Sequence, residues 1–261
     1  TLKVQLTLRR RGKGATATPA GRWVYERARE LLDRSADITA VARVIRGELT
    51  GPLRIGCFST LSPWLFPRIV AHFVAHHPGV EVQIAEGDSQ SLLGRLQEGK
   101  LDALLLYRNH LTPWSASEEI VPARLQIAIS PDHRLAALDE IPLRELADET
   151  AILVSLQPAT EHVESLLRSA GFQPKVRWRS ANVETIRSMV ARGLGYTVIM
   201  GRPYGDVTYD GLPLAYRPIA DEVEPNAIVI AYPEGTTPTA TVHELIRFAK
   251  EEFGGEGDAL V

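Results

Sequence analysis

The sequence predicts an α/β protein of two lobes with one long helix ahead of them. Three observations carry that expectation. From residue 52 onward, short apolar runs alternate with amphipathic stretches, the pattern of strands joined by helices. These units fall into two sets of similar size, which implies two lobes with a cleft between them. Over residues 24–45 an apolar seam recurs at steps of four and three, as on a helix that packs along another helix.

The chain opens on a basic hairpin, RRRGKGATATPAG, at residues 9–21. Thr18-Pro19 is a helix start, a hydroxyl cap followed by proline at the first helical position. Val24, Ala28, Leu31, Ile38, Ala42 and Ile45, with Ser35 among them, form the seam, and Gly47 closes the helix. At ~1.5 Å per residue the rod would be roughly 40 Å long. One small domain cannot bury so long and narrow a seam, so it is read as a dimerisation helix.

After Gly51-Pro52 the first set begins with a strand at 53–58, a helix at 62–78 capped by Ser62, and a strand at 80–86. A helix at 89–99 and a strand at 101–107 complete it, and a strand at 125–130 leads out of it. The second set has strands at 151–155, 175–180 and 196–200, with helices at 161–170 and 182–192. Late strands fit 213–219 and 227–232, and a final amphipathic helix fits 239–253.

The net charge of −3 hides an asymmetry. Residues 1–30 hold eight Lys/Arg against two Glu, a balance of +6, so the remainder carries −9. Such segregation suits an end that meets a polyanion, joined to an acidic body. No run approaches the eighteen or so apolar residues of a membrane span. Cys57, the single cysteine, excludes an internal disulfide framework and fits a reducing compartment, so cytoplasm is expected. It ends an apolar strand and is read as packing rather than as a redox sensor. His72 and His76 are four apart on a helix but lack a zincin pattern, and are read as a solvent-facing pair.

Candidate binding residues cluster where strands end and helices begin. Ser59 and Thr60 in FSTLSP could cradle a polar ligand beside free main-chain N–H groups. Arg108 in LLLYRNH emerges just past a buried strand, where its fork can meet a ligand. Asp88 and Ser89 in EGDSQ open another helix, and Gln157 and Thr160 in VSLQPATEH face the same cleft from the second set. Capping accounts for some of these residues equally well. No nucleophile–base set, Walker motif or dinucleotide fingerprint is present, so no enzyme, cofactor or metal is assigned.

Taken in order, these stretches resemble the LysR-type transcriptional regulators. RRRGKGATATPAG resembles the wing of their winged helix-turn-helix, and residues 47–106 resemble the first half of their effector-binding domain. Residues 129–149 and 182–200 resemble its crossover and a later stretch that ends in a Gly-Leu-Gly turn. The resemblance implies a two-lobe effector domain like the type 2 periplasmic binding proteins, behind a linker helix and a remnant of the wing. It implies that a helix-turn-helix belongs ahead of Thr1. The expected division is a wing at 1–18, a linker helix at 19–47, lobe I at 52–128 plus 233–253, and lobe II at 129–232. It further implies effector contacts at Ser59, Thr60, Asp88, Arg108, Gln157 and Thr160, and DNA contacts at Arg9, Arg10, Arg11 and Lys13. The implied partners are double-stranded DNA, a small polar or anionic metabolite and further copies of the chain, as homodimer or homotetramer. Asp88 stands where a neutral residue would suit an acidic effector better. The rival readings are a solute-binding protein of the same fold, disfavoured by the basic wing, and an enzyme, disfavoured by the lack of a catalytic set.

Overall fold

The computed structural model describes residues 4–9, 15–25, 27–28, 49–200 and 205–256. It divides into two compact units, residues 1–50 and 51–261.

In the first unit, β1 (Thr7–Arg9) pairs antiparallel with β2 (Ala15–Ala17) to form the basic hairpin. Helix α1 starts at residue 19 and is described to residue 28, position 26 apart. Thr18 caps it as the sequence suggests: its Oγ1 accepts from Gly21 N at 2.9 Å and donates to the Gln5 carbonyl at 2.8 Å. A Cβ on Gly21 would lie 1.9 Å from the Leu6 carbonyl oxygen, so only glycine lets the hairpin and the helix start approach so closely. Val24 is half-buried and Ala28 exposed. Leu31, Ile38, Ala42 and Ile45 lie outside the described residues, as do Arg10, Arg11 and Lys13.

The second unit holds two lobes. Lobe I is built on a five-stranded sheet of β3 (Thr50–Phe58), β4 (Gly79–Gly87), β5 (Ala103–Tyr107), β6 (Ser115–Ala123) and β12 (Asn226–Pro233). Their order is β4-β3-β5-β12-β6, with β3 parallel to β5 and β12 antiparallel to both β5 and β6. Helices α2 (Ser62–His76), α3 (Ser89–Gln97) and α6 (Ala240–Phe253) pack on it around Ile55, Leu65, Phe73, Leu104, Leu245 and Phe253, all fully buried. Burial of each such side chain is worth about 1.5–3 kcal/mol. Asp102 binds the Arg54 guanidinium through both carboxylate oxygens and fixes the entry to β5.

Lobe II centres on β7 (Leu125–Ile129), flanked antiparallel by β10 (Thr197–Met200) and β11 (Ala215–Pro218). Parallel strands β8 (Thr150–Val154) and β9 (Lys175–Ser180) join it where Tyr196 bonds across to Thr150 and Ile152. Helices α4 (Ala159–Ser169) and α5 (Val183–Ala191) cover them. At that junction Gly195 has φ of +154°, and a Cβ there would fall 2.2 Å from the Thr150 oxygen. Gly195→Ala is expected to destabilise the chain by ~1–3 kcal/mol, read as a lowered urea midpoint; a change within experimental error would show that the junction relaxes freely.

Several expectations are corrected. Strand pairing puts β7 in lobe II and β12 in lobe I, so the crossovers fall near Arg124 and residues 219–225 rather than at 128 and 232. Both strands are mostly apolar and buried, and composition could not tell which sheet they join. Strand β6 was not anticipated: it is an edge strand carrying Glu118, Glu119 and Pro122, residues that edges tolerate. Leu61, not Ser62, sits at the cap of α2, while the buried Ser62 donates to the Ser59 carbonyl at 3.2 Å. His72 is not solvent-facing, since Glu244 of α6 holds its ring. No described helix is long and apolar enough to cross a membrane.

Candidate functional site

Four strands end at one place. Phe58, Tyr107, Val154 and Met200 are the last residues of β3, β5, β8 and β10, and all four line a cavity between the lobes. This is the crevice beyond the carboxyl ends of strands where ligands of open α/β sheets bind. The cavity holds about 580 Å³, its open mouth included. Lobe II supplies an apolar wall: Leu125, Val154, Val163, Val183, Val198 and Ile199. Lobe I supplies Thr60, Tyr107, Asn109 and His110 around the Phe58 ring, and α4 adds His162.

The polar groups are few and held in place. Thr60 Oγ1 lies 3.4 Å from the Tyr107 hydroxyl, and Ser89 Oγ lies 2.6 Å from His110 Nδ1. Phe58 meets the Tyr107 and His110 rings edge-on, with centroids 5.9 and 4.8 Å away. The paired side chains of Asn109 and Asn226 bond at 2.8 Å. Burial, assisted by the nearby His162, holds the His110 imidazole down to about 4, so it is neutral at physiological pH. Burial pushes the Tyr107 phenol well up, so it stays a neutral hydroxyl. With Ser89 on Nδ1, the His110 Nε2 is the nitrogen left to serve a ligand. Among the described lining residues there is no lysine, arginine or carboxylate.

The six candidate contacts sit as follows. Thr60 lines the cavity. Ser59 Oγ donates to the Gly87 carbonyl at 3.2 Å, which ties β3 to the end of β4. Asp88 caps α3, accepting from Ser91 N at 2.9 Å. Arg108 pairs with Glu119 of β6 at the surface, and neither residue lines the cavity. Gln157 is exposed, just before α4. Thr160 is buried and donates to the Val154 carbonyl at 2.6 Å, holding α4 against the end of β8. Tyr107, His110 and His162 were missed. Their signal was present in the sequence, since a histidine follows the buried strand in YRNH and another lies in the first turn of α4.

A family model described as the LysR substrate binding domain matches residues 46–254. The HTH-type transcriptional regulator YvbU of Bacillus subtilis is 26% identical over 98% of this chain and 86% of its own. The dual regulator OxyR of Escherichia coli is 26% identical over 74% of this chain; the chain spans 64% of its length, less than two thirds. Among solved structures, the C-terminal domain of a probable LysR family regulator from Rhodococcus is 33% identical. It covers 77% of this chain and 99% of its own, with a TM-score of 0.73. The chain belongs to the LysR family of transcriptional regulators, a family of DNA-binding proteins rather than enzymes, and carries its substrate-binding domain.

Proposed function

We propose that the interlobe cavity is the sensor of a DNA-binding regulator and takes a small effector with an apolar body and a neutral hydrogen-bonding head. One observation carries the reading: apart from His162 of α4 the cavity is apolar on the lobe II side, and its other polar groups, Thr60, Tyr107, Asn109 and His110, gather on the lobe I side. A ligand with this polarity contacts both lobes at once and favours the arrangement in which both contacts are made. In the full regulator that bias would reach the DNA-binding heads through paired linker helices, along the seam that begins at Val24 and Ala28. The hairpin cations, Arg9 to Lys13, would meet DNA phosphates, which position the protein without reading sequence. A DNA-bound regulator of this kind works in the cytoplasm.

The head group narrows the small polar or anionic metabolite that the sequence suggested to a neutral one. A carboxylate entering a cavity without lysine or arginine would draw a proton onto His110 as its counter-charge. In the empty cavity His110 titrates at about 4, and a bound anion would raise it. Between those two values, anion binding takes up one proton and weakens about tenfold per pH unit as pH rises. A neutral ligand takes up none.

Thermal-shift measurements on matched aromatic acids and their amides should therefore show the amides stabilising the chain equally from weakly acidic to weakly alkaline pH. The acids should lose their effect as pH rises. A ligand at a hundred times its dissociation constant adds ~2.7 kcal/mol, which is readily seen. Acids that bind better than amides, with no pH slope, would overturn the head-group assignment.

Peroxide sensing, suggested by relatives described as hydrogen peroxide-inducible genes activators, is disfavoured by Cys57. It is the one cysteine of the 261 residues and is fully buried, and burial followed by the nearby Glu86 pushes its thiol well up. The reactive thiolate is therefore not available at neutral pH.

A further inference from the structure

On the outer side of lobe I, the end of α2 meets α6 in a cluster that the effector site does not use. His72 Nε2 lies 2.7 Å and His77 Nε2 3.0 Å from the same oxygen, Oε1 of Glu244. The three donor atoms lie within 4.8 Å of one another, and all three residues are half-buried at the surface. Their orientations are set by packing. The His72 ring stacks on Phe248 with centroids 3.9 Å apart and an interplanar angle of 14°, and the His76 ring stacks against it at 4.8 Å. Arg247 grips the same carboxylate through both oxygens, donating from Nε to Oε2 at 2.8 Å and from a terminal nitrogen to Oε1 at 2.6 Å.

We propose that His72, His77 and Glu244 form a binding site for a divalent transition-metal ion, Zn²⁺ by preference, that clamps the end of α2 to α6. Two imidazoles and one carboxylate are a borderline donor set of the kind that suits zinc. Zinc holds nitrogen and oxygen ligands at about 2.0–2.2 Å, so tetrahedral ligand atoms lie about 3.3 Å apart. The cluster reaches that spacing if each Nε2 withdraws from Oε1 by a few tenths of an ångström and the two imidazole nitrogens, now within 4.8 Å, close toward each other. Each imidazole then offers its Nε2 lone pair and keeps its proton on Nδ1. The half-buried setting leaves room for water at the fourth position. Arg247 gives up its bond to Oε1 and keeps the one to Oε2, orienting the ligand carboxylate while its positive charge limits the affinity.

The test is a Zn²⁺ titration of the whole chain at neutral pH, read by competition with a chromophoric chelator and by melting temperature. One equivalent is expected to bind with micromolar or tighter affinity and to raise the melting temperature. His77→Ala, at the exposed end of α2, should weaken binding at least tenfold while the metal-free protein melts as before. His243→Ala, which removes an exposed imidazole of α6 outside the cluster, should leave binding unchanged. Failure to bind one equivalent, equal binding by His77→Ala, or equal loss in the two variants would each overturn the site. Effector binding between the lobes is measured separately, so neither result decides the other.

Discussion

Ala159→Phe is expected to weaken effector binding at least ~100-fold, equivalent to ~2.7 kcal/mol. Ala159 is the first residue of α4 and stands on the cavity wall, flanked by the apolar residues of both lobes. A phenylalanine there projects its ring into the space between Phe58 of lobe I and Val163 of lobe II, where the proposal seats the ligand's apolar body. The ligand-free fold should lose no more than the ~1–3 kcal/mol typical of overpacking, because the new ring has an existing cavity to enter. Calorimetric titration of variant and parent with one effector checks this, and an effector-dependent reporter in cells should fall silent. Unchanged affinity would move the effector out of the interlobe cavity altogether. Thr60→Val, which removes one hydroxyl and keeps the shape, should cost far less and give a graded companion result.

Arg187→Met should cost the fold ~3–5 kcal/mol, the loss expected when one partner leaves a buried charge network. Arg187 lies on α5 and is fully buried. Its Nε donates to the Tyr216 hydroxyl at 2.9 Å, one terminal nitrogen bonds Glu184 Oε2 at 2.5 Å, and the other reaches the carbonyls of Gly205 and Val207 at 2.8 and 3.0 Å. Methionine fills similar space but leaves a carboxylate and two carbonyls without their donor. Lysine keeps the charge but cannot satisfy partners lying in three directions, so Arg187→Lys should recover only part of the loss. Urea unfolding measures both variants. A loss under ~1 kcal/mol would mean that water replaces the guanidinium at little cost.

The two-lobe plan was legible because its signals are local. Alternating apolar and amphipathic runs, Thr18-Pro19 and the loop glycines each announce themselves within a few residues. Lobe boundaries were not legible, because β7 and β12 are both mostly apolar and only pairing partners far along the chain decide their sheet. The same distance hid the chemistry of the cavity. Arg108 and Asp88 look available in the sequence, but Glu119 occupies one and the α3 backbone the other. His110 looks ordinary in the sequence; its burial, and the serine 21 positions earlier that fixes its ring, exist only in the fold. Arg187 reads as one charge on an amphipathic helix and proves to be a core residue.

The return of β12 to the first sheet makes lobe II an insertion within lobe I. Ala123, where the chain leaves lobe I, and Asn226, where it re-enters, are paired neighbours in the β6–β12 ladder. The two ends of the insertion are thus as close as the two ends of a β-hairpin turn. A host lobe with such a doorway can accept a different guest lobe, or a tight turn, without disturbing its own strand order. Recombination at those two positions would exchange half of the ligand-recognising wall in one step. Phe58, Thr60, Tyr107 and His110 would remain as the constant half. New effector specificities could therefore arise in this architecture by graft as well as by point substitution.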